Sequence, residues 1–125
     1  MGTLPQSWIP EADVRLGLYV RLSRLEDEAA IDAFEEELLD RFGTLPPDAD
    51  ALIAQARIRL AARALRVQRI DAGAAAIALT PRRGFETDAA KYGFVEKNGR
   101  LLLIEETSDD DRMERVQALL ETLAA

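Results

Sequence analysis

The chain has 125 residues, 48% hydrophobic and 31% charged, with a net charge of -7. It is long enough for one folded domain (residues 1–125), and too acidic overall to hold nucleic acid without strong local segregation of charge. It contains neither cysteine nor histidine, which excludes disulfides, thiolate metal sites and a cysteine nucleophile, and removes the commonest general base and zinc ligand.

Residues 1–10, "MGTLPQSWIP", read as an extended arm, because two prolines disfavour a helix there. Leu4, Trp8 and Ile9 are its candidates for packing. The arm lacks the basic start and apolar middle of a signal peptide, and no apolar run approaches the roughly 18 residues of a membrane span. With the absence of cysteine this fits a cytoplasmic chain. "ADVRLGLYVRLSRL" (Ala12–Leu25) carries two patterns. Val14, Leu16, Leu18, Val20 and Leu22 alternate as in a strand, while Val14, Leu18, Leu22 and Leu25 repeat as in a helix. Its length, the helix-forming Arg15, Arg21 and Arg24, and Asp13 as a cap favour helix.

A second helix is expected from about Asp27 to Phe42, with Ile31, Phe34, Leu38 and Phe42 as its apolar stripe and Gly43 as a left-handed stop. Pro46–Pro47 opens a third, running to about Leu65 with Leu52, Ala56 and Leu60 facing inward. Residues 11–66 thus form a helical half. Beyond it, "VQRID" and "AAIALT" read as two short strands joined by a glycine turn. "RRGFETDAAKY" is weakly patterned, with room for a short helix. "GFVEKNGRLLLIEE" is the clearest hairpin, because Asn98–Gly99 suits a turn that needs positive φ twice. A last helix is expected from Ser108, with that serine as cap, Asp109–Asp111 in the first turn, and Met113, Val116, Leu119, Leu120 and Leu123 inward. The fold class is α+β: three N-terminal helices, a small, mostly antiparallel sheet of about four short strands, and a C-terminal helix.

The sequence holds no GxxxxGK[ST], HExxH or GxSxG. Carboxylate pairs are too numerous to single out an acid–base couple. Asp109–Asp111 matches a helix start better than a calcium loop, which needs more ligands at defined positions. Arg59, Arg63 and Arg66 line one side of the third helix. They could meet phosphates, pair with the acidic second helix, or lay their stems over core edges; the net charge weighs against nucleic acid. No cofactor and no metal are expected.

Eight acidic residues and no basic one lie between Glu26 and Asp40. With Ile31 at zero and about 100 degrees per residue, the apolar stripe centres near 345 degrees. Glu36, Glu37 and Asp40 then fall at about 140, 240 and 180 degrees. They form one outward carboxylate patch with Arg41 at its edge. Such a patch is either an ordinary solvated helix face or a surface for a basic partner.

The residues from Trp8 to Pro81 resemble the C-terminal domain of bacterial transcription-repair coupling factors, also called Mfd. The likeness rests on Ile9–Pro10 in the arm, on "RLGLYVRL" (Arg15–Leu22) and on "ELLDRFGTLP" (Glu37–Pro46). "RVQRIDAG" and "AIALTP" extend it. Trp8 stands where tyrosine is frequent. After Pro81 the similarity is looser, and Arg82–Tyr92 is shorter than in many members. The resemblance implies a non-enzymatic regulatory domain of an ATP-driven DNA translocase. Such a domain docks within the same protein on a UvrB-like module, masks the UvrA-binding surface and restrains the motor. Net charge and hydropathy argue against direct contact with nucleic acid or membrane, and a monomer is expected. The resemblance places the docking carboxylates in the "E-L-x-D" motif, at Glu37 and Asp40, inside the patch of Glu36, Glu37, Asp40 and Arg41. Two alternatives remain beside it: a free-standing adaptor for another basic partner, and a small hydrolase, which would need a concave carboxylate pair with a raised pKa.

Overall fold

A computed structural model describes residues 2–125. Their elements are α1 (Ala12–Ser23), α2 (Glu28–Phe42), α3 (Pro47–Ala64), β1 (Val67–Ala72), β2 (Ala76–Pro81), a 3-10 turn (Ala89–Tyr92), β3 (Val95–Lys97), β4 (Arg100–Ile104) and α4 (Arg112–Ala124). The chain divides into two compact units, residues 1–60 and 61–125, the division falling inside α3.

In the first unit the helical pattern of α1 prevails over the alternating one. Leu18 and Leu22 are buried, whereas Leu16 and Val20, which a strand would have put on the same face, are 66% and 39% exposed. The buried cluster joins them to Ile31, Phe34 and Leu38 of α2 and to Ala49, Ile53 and Ala56 of α3, with Leu4 and Ile9 from the arm. The third stripe is therefore rotated from the expected one. Ala56 is buried as predicted, but Leu52 and Leu60 are only partly buried. The small Ala49 and Ala56 suit a close helix crossing that larger side chains would hold apart.

The arm is tied down by specific bonds. The Leu4 amide donates to the Tyr19 hydroxyl at 2.7 Å, and the Trp8 indole Nε1 donates to the Phe42 carbonyl at 2.9 Å. The second bond satisfies a carbonyl at the end of α2 that has no partner within its own helix. Trp8 and Phe42 also meet edge to face at 5.6 Å. At the start of α2, Asp27 Oδ1 accepts from the Ala30 amide at 2.7 Å, the expected cap. Gly43 ends the helix at φ 86°, ψ -166°, a conformation open essentially to glycine alone. Asp13, in contrast, does not cap α1. The capping position is Glu11, without a side-chain bond, and Asp13 lies in the first turn. Arg15 instead donates to the carbonyls of Ile9 and Pro10, fixing how the arm enters the helix.

The second unit contains an antiparallel sheet of order β1-β2-β4-β3. Asn98 (φ 53°) and Gly99 (φ 79°) turn the β3–β4 hairpin as the dipeptide predicts. Ile77 and Leu79 of β2 are buried, and α4 contributes Val116, Leu119, Leu120 and Leu123 to the buried set. Helix α4 begins later than expected. Ser108 closes a turn ahead of it: its Oγ accepts from the Asp111 amide at 3.3 Å and donates to Asp111 Oδ2 at 3.0 Å. Asp109–Asp111 occupy that turn and the capping position rather than the first helical turn, because aspartate side chains compete for backbone bonds in non-helical conformations.

Candidate functional site

The acidic run divides its work along α2. Asp27 is spent on the cap. Glu28, Asp32 and Glu35, one helical turn apart, converge on Arg57 of α3. Arg57 Nη1 lies 2.7 Å from Glu28 Oε2 and 2.8 Å from Asp32 Oδ1, and Nη2 lies 3.0 Å from Glu35 Oε1. Burial pulls the Arg57 pKa down, but hydrogen bonds to Asp32, Glu28 and Glu35 outweigh it and the net shift is upward. Arg57 is not among the three arginines singled out from the sequence, Arg59, Arg63 and Arg66, and the last of these lies beyond the end of α3. Arg57 is the arginine that meets the acidic helix, while Arg59 donates to the Leu22 carbonyl at 3.2 Å. The signal was available: Arg57 immediately follows the inward Ala56, so its side chain leaves the edge of the buried stripe.

Glu37 forms a second centre. Arg21 of α1 grips it with two parallel bonds, Nη1 to Oε2 at 2.7 Å and Nη2 to Oε1 at 2.8 Å. Arg41, one turn along α2, adds Nη1 to Oε2 at 3.0 Å. The hydrogen bond from Arg21, then that from Arg41, pulls the Glu37 carboxyl down to about 2. Both guanidiniums also rest on rings, Arg21 over Phe34 at 5.2 Å and Arg41 over Phe42 at 4.8 Å. Beside this centre a shallow depression of about 390 Å³ is lined by Asp13, Val14, Gly17, Leu18, Arg21 and Arg41. A Cβ at Gly17 would have nothing within 4 Å, so glycine keeps that space open.

Glu36 and Asp40 are exposed, and among the described residues neither takes part in an ion pair. Leu39, between Glu36 and Asp40, is 50% exposed. The four residues singled out from the sequence thus share one end of α2 but differ in state. Glu37 and Arg41 are neutralised within the chain; Glu36 and Asp40 present open charge. A hydrolytic pair would need a raised carboxyl pKa in a concavity. Glu37 is shifted the other way, and Glu36 and Asp40 stand on an exposed helix face. Among the described residues no group of three His, Cys, Asp or Glu is arranged to hold a metal ion, and no helix is long and apolar enough to cross a membrane.

These features define an α+β domain whose most prominent surface is a charged helix face. The TRCF domain family model matches residues 2–91, and the chain belongs to that family. It is 39% identical over 70 residues to the transcription-repair-coupling factor of Haemophilus influenzae, covering 56% of this chain and 6% of that protein. The corresponding protein of Rickettsia prowazekii is 26% identical over 129 residues, 96% of this chain and 12% of that protein. That of Escherichia coli is 35% identical over 68 residues, 54% of this chain and 6% of that protein. The chain therefore spans between 6% and 12% of the length of these relatives. A solved structure, the crystal structure of a C-terminal domain of transcription-repair coupling factor, shares the fold with a TM-score of 0.84 at 19% identity, over 98% of this chain and 86% of that one.

Proposed function

We propose that the chain is a regulatory domain of a transcription-repair coupling factor, without catalysis of its own. Its α2 face docks on a basic surface of the UvrB-like module of the same protein. Docking there masks the surface that UvrA would use and restrains the translocase motor. The observation that carries this is the state of Glu36, Glu37, Asp40 and Arg41 near the end of α2. Glu37 is locked by Arg21 and Arg41, while Glu36 and Asp40 stay exposed beside it and, among the described residues, without an ion pair. Unpaired exposed carboxylates on a rigid helix keep their full attraction for an external cation, whereas Glu37 has already spent most of its own. Membership of the TRCF domain family supports a partner within the same protein.

The physics suits a contact meant to open. Each exposed ion pair contributes about 0–1 kcal/mol. Two such pairs hold little alone, but a tether that raises the effective concentration can keep the domains closed until a competitor arrives. Binding of this chain, in trans, to the isolated UvrB-like module tests the proposal. Affinity should fall with added salt and fall again by about ten-fold in Glu36→Ala/Asp40→Ala, the scale of about 1.4 kcal/mol. UvrA should displace the native chain. Salt-independent binding, or binding unchanged in the double variant, overturns the assignment of the face.

A further inference from the structure

A second charged surface, opposite in sign, lies in residues 61–125. Arg63 occupies the last turn of α3, Arg66 follows the helix, and Arg82 and Arg83 follow β2. The topology gathers them at one corner of the sheet. Val67 pairs with Pro81 across β1 and β2, the Arg66 amide donates to the Arg63 carbonyl at 3.1 Å, and the Arg82 amide donates to the Arg66 carbonyl at 2.9 Å. The Arg66 side chain lies along Gly84, where a Cβ would stand 3.7 Å from its Cγ and 3.9 Å from its Nε. All four arginines are exposed, and among the described residues none takes part in an ion pair. In a chain of net charge -7 that holds 23 acidic residues, four adjacent unpaired arginines are conspicuous.

Arg63 by itself is explained by the negative end of the α3 dipole. Arg66 is not. It sits at φ 64°, the left-handed conformation in which glycine is the usual residue after a helix. A non-glycine residue there is uncommon and carries a modest backbone cost, which the C-terminal end of α3 alone does not require of an arginine. Neither Arg82 nor Arg83 is required by the turn that holds it, because the Phe85 amide closes that turn on the backbone carbonyl of Arg82.

We infer that the Arg63–Arg66–Arg82–Arg83 corner is a docking surface for a carboxylate-rich protein segment, separate from the α2 face and opposite to it in charge. Guanidinium forks bind carboxylates bidentately, and four on one short corner match the reach of a short acidic segment. Phosphates satisfy the same fork, but duplex DNA carries one charge per about 1.7 Å, so whole-chain repulsion at -7 penalises it more than a short peptide.

Fluorescence anisotropy with a labelled short oligoglutamate peptide and, separately, a labelled DNA duplex tests this on the 125-residue chain in one buffer. The peptide should bind, and its affinity should drop by about ten-fold or more in Arg63→Gln/Arg66→Asn/Arg82→Gln/Arg83→Gln. Arg82→Gln/Arg83→Gln alone should give part of that loss, and because it touches only an exposed turn it keeps the test sound if the quadruple variant unfolds. Glu36→Ala/Asp40→Ala should leave peptide binding intact, which separates this surface from the α2 face. No peptide binding by the native chain, peptide binding indifferent to the arginines, or duplex bound more tightly than peptide would each overturn the inference.

Discussion

Two arginines organise the acidic helix, and each can be tested alone. Arg57 gathers three carboxylates that would otherwise repel one another along α2. Arg57→Ala should lower stability by about 1–2 kcal/mol, less than a buried ion pair would cost because the carboxylates are well exposed. Urea denaturation in low and high salt checks it: added salt should shrink the loss by screening the freed repulsion. Glu37 gives a pH signature. Its carboxyl is held at about 2 against an ordinary 4.5. A folded value below the unfolded one means that its ion pairs stabilise fully above the ordinary value and fade as pH falls toward the folded one. Glu105, lowered by its hydrogen bond with Arg115, acts in the same direction. Glu37→Gln should therefore lower the urea midpoint above about pH 5, leave it nearly unchanged near pH 2, and so flatten its fall between the two. An unaltered slope would mean that solvent already screens the pairs. Of these contacts, the sequence disclosed that Glu37 lies on α2 beside Arg41; it could not disclose Arg21, which is brought to Glu37 only by the packing of α1 on α2.

At the scale of elements, periodicity carried most of the architecture. Four helices, the β1–β2 pair and the Asn98–Gly99 hairpin follow from apolar spacing and turn chemistry, since each is decided by residues near in sequence. Helix ends were less legible. Asp13 and Ser108 are both good capping residues, yet one lies inside its helix and the other ahead of it, because several acceptors in a row compete for the same amides. Two substitutions probe the helices. Leu38 is fully buried and Leu39 half-exposed. Leu38→Ala should cost about 2–5 kcal/mol and Leu39→Ala under about 0.5, as read by thermal or urea unfolding. Gly17→Ala, mid-helix with free space around it, should stabilise by about 0.5–1 kcal/mol. If the depression beside Gly17 helps to seat the partner, the same variant should weaken docking to the UvrB-like module, a gain in stability with a loss in binding.

Over the whole molecule the charge is unevenly spread. Residues 1–60 hold six basic and twelve acidic side chains, whereas residues 61–125 hold ten and eleven. A surplus of this size needs no structure to detect, and with the "ELLDRFGTLP" motif it was enough to point to α2 as the proposed interaction face. Composition, apolar period and turn dipeptides are local properties, so the sequence by itself determined the fold class, the order of the elements and the outward side of α2. Ion pairs and corners join residues far apart in the chain. Only the tertiary structure decided that Arg57, not Arg59 or Arg63, meets the acidic run, that Glu37 is already neutralised while Glu36 and Asp40 are open, and that Arg63 and Arg66 stand beside Arg82 and Arg83. The physical reason is that the strength of a charge at a surface depends on which opposite charge the fold has brought within a few ångströms of it.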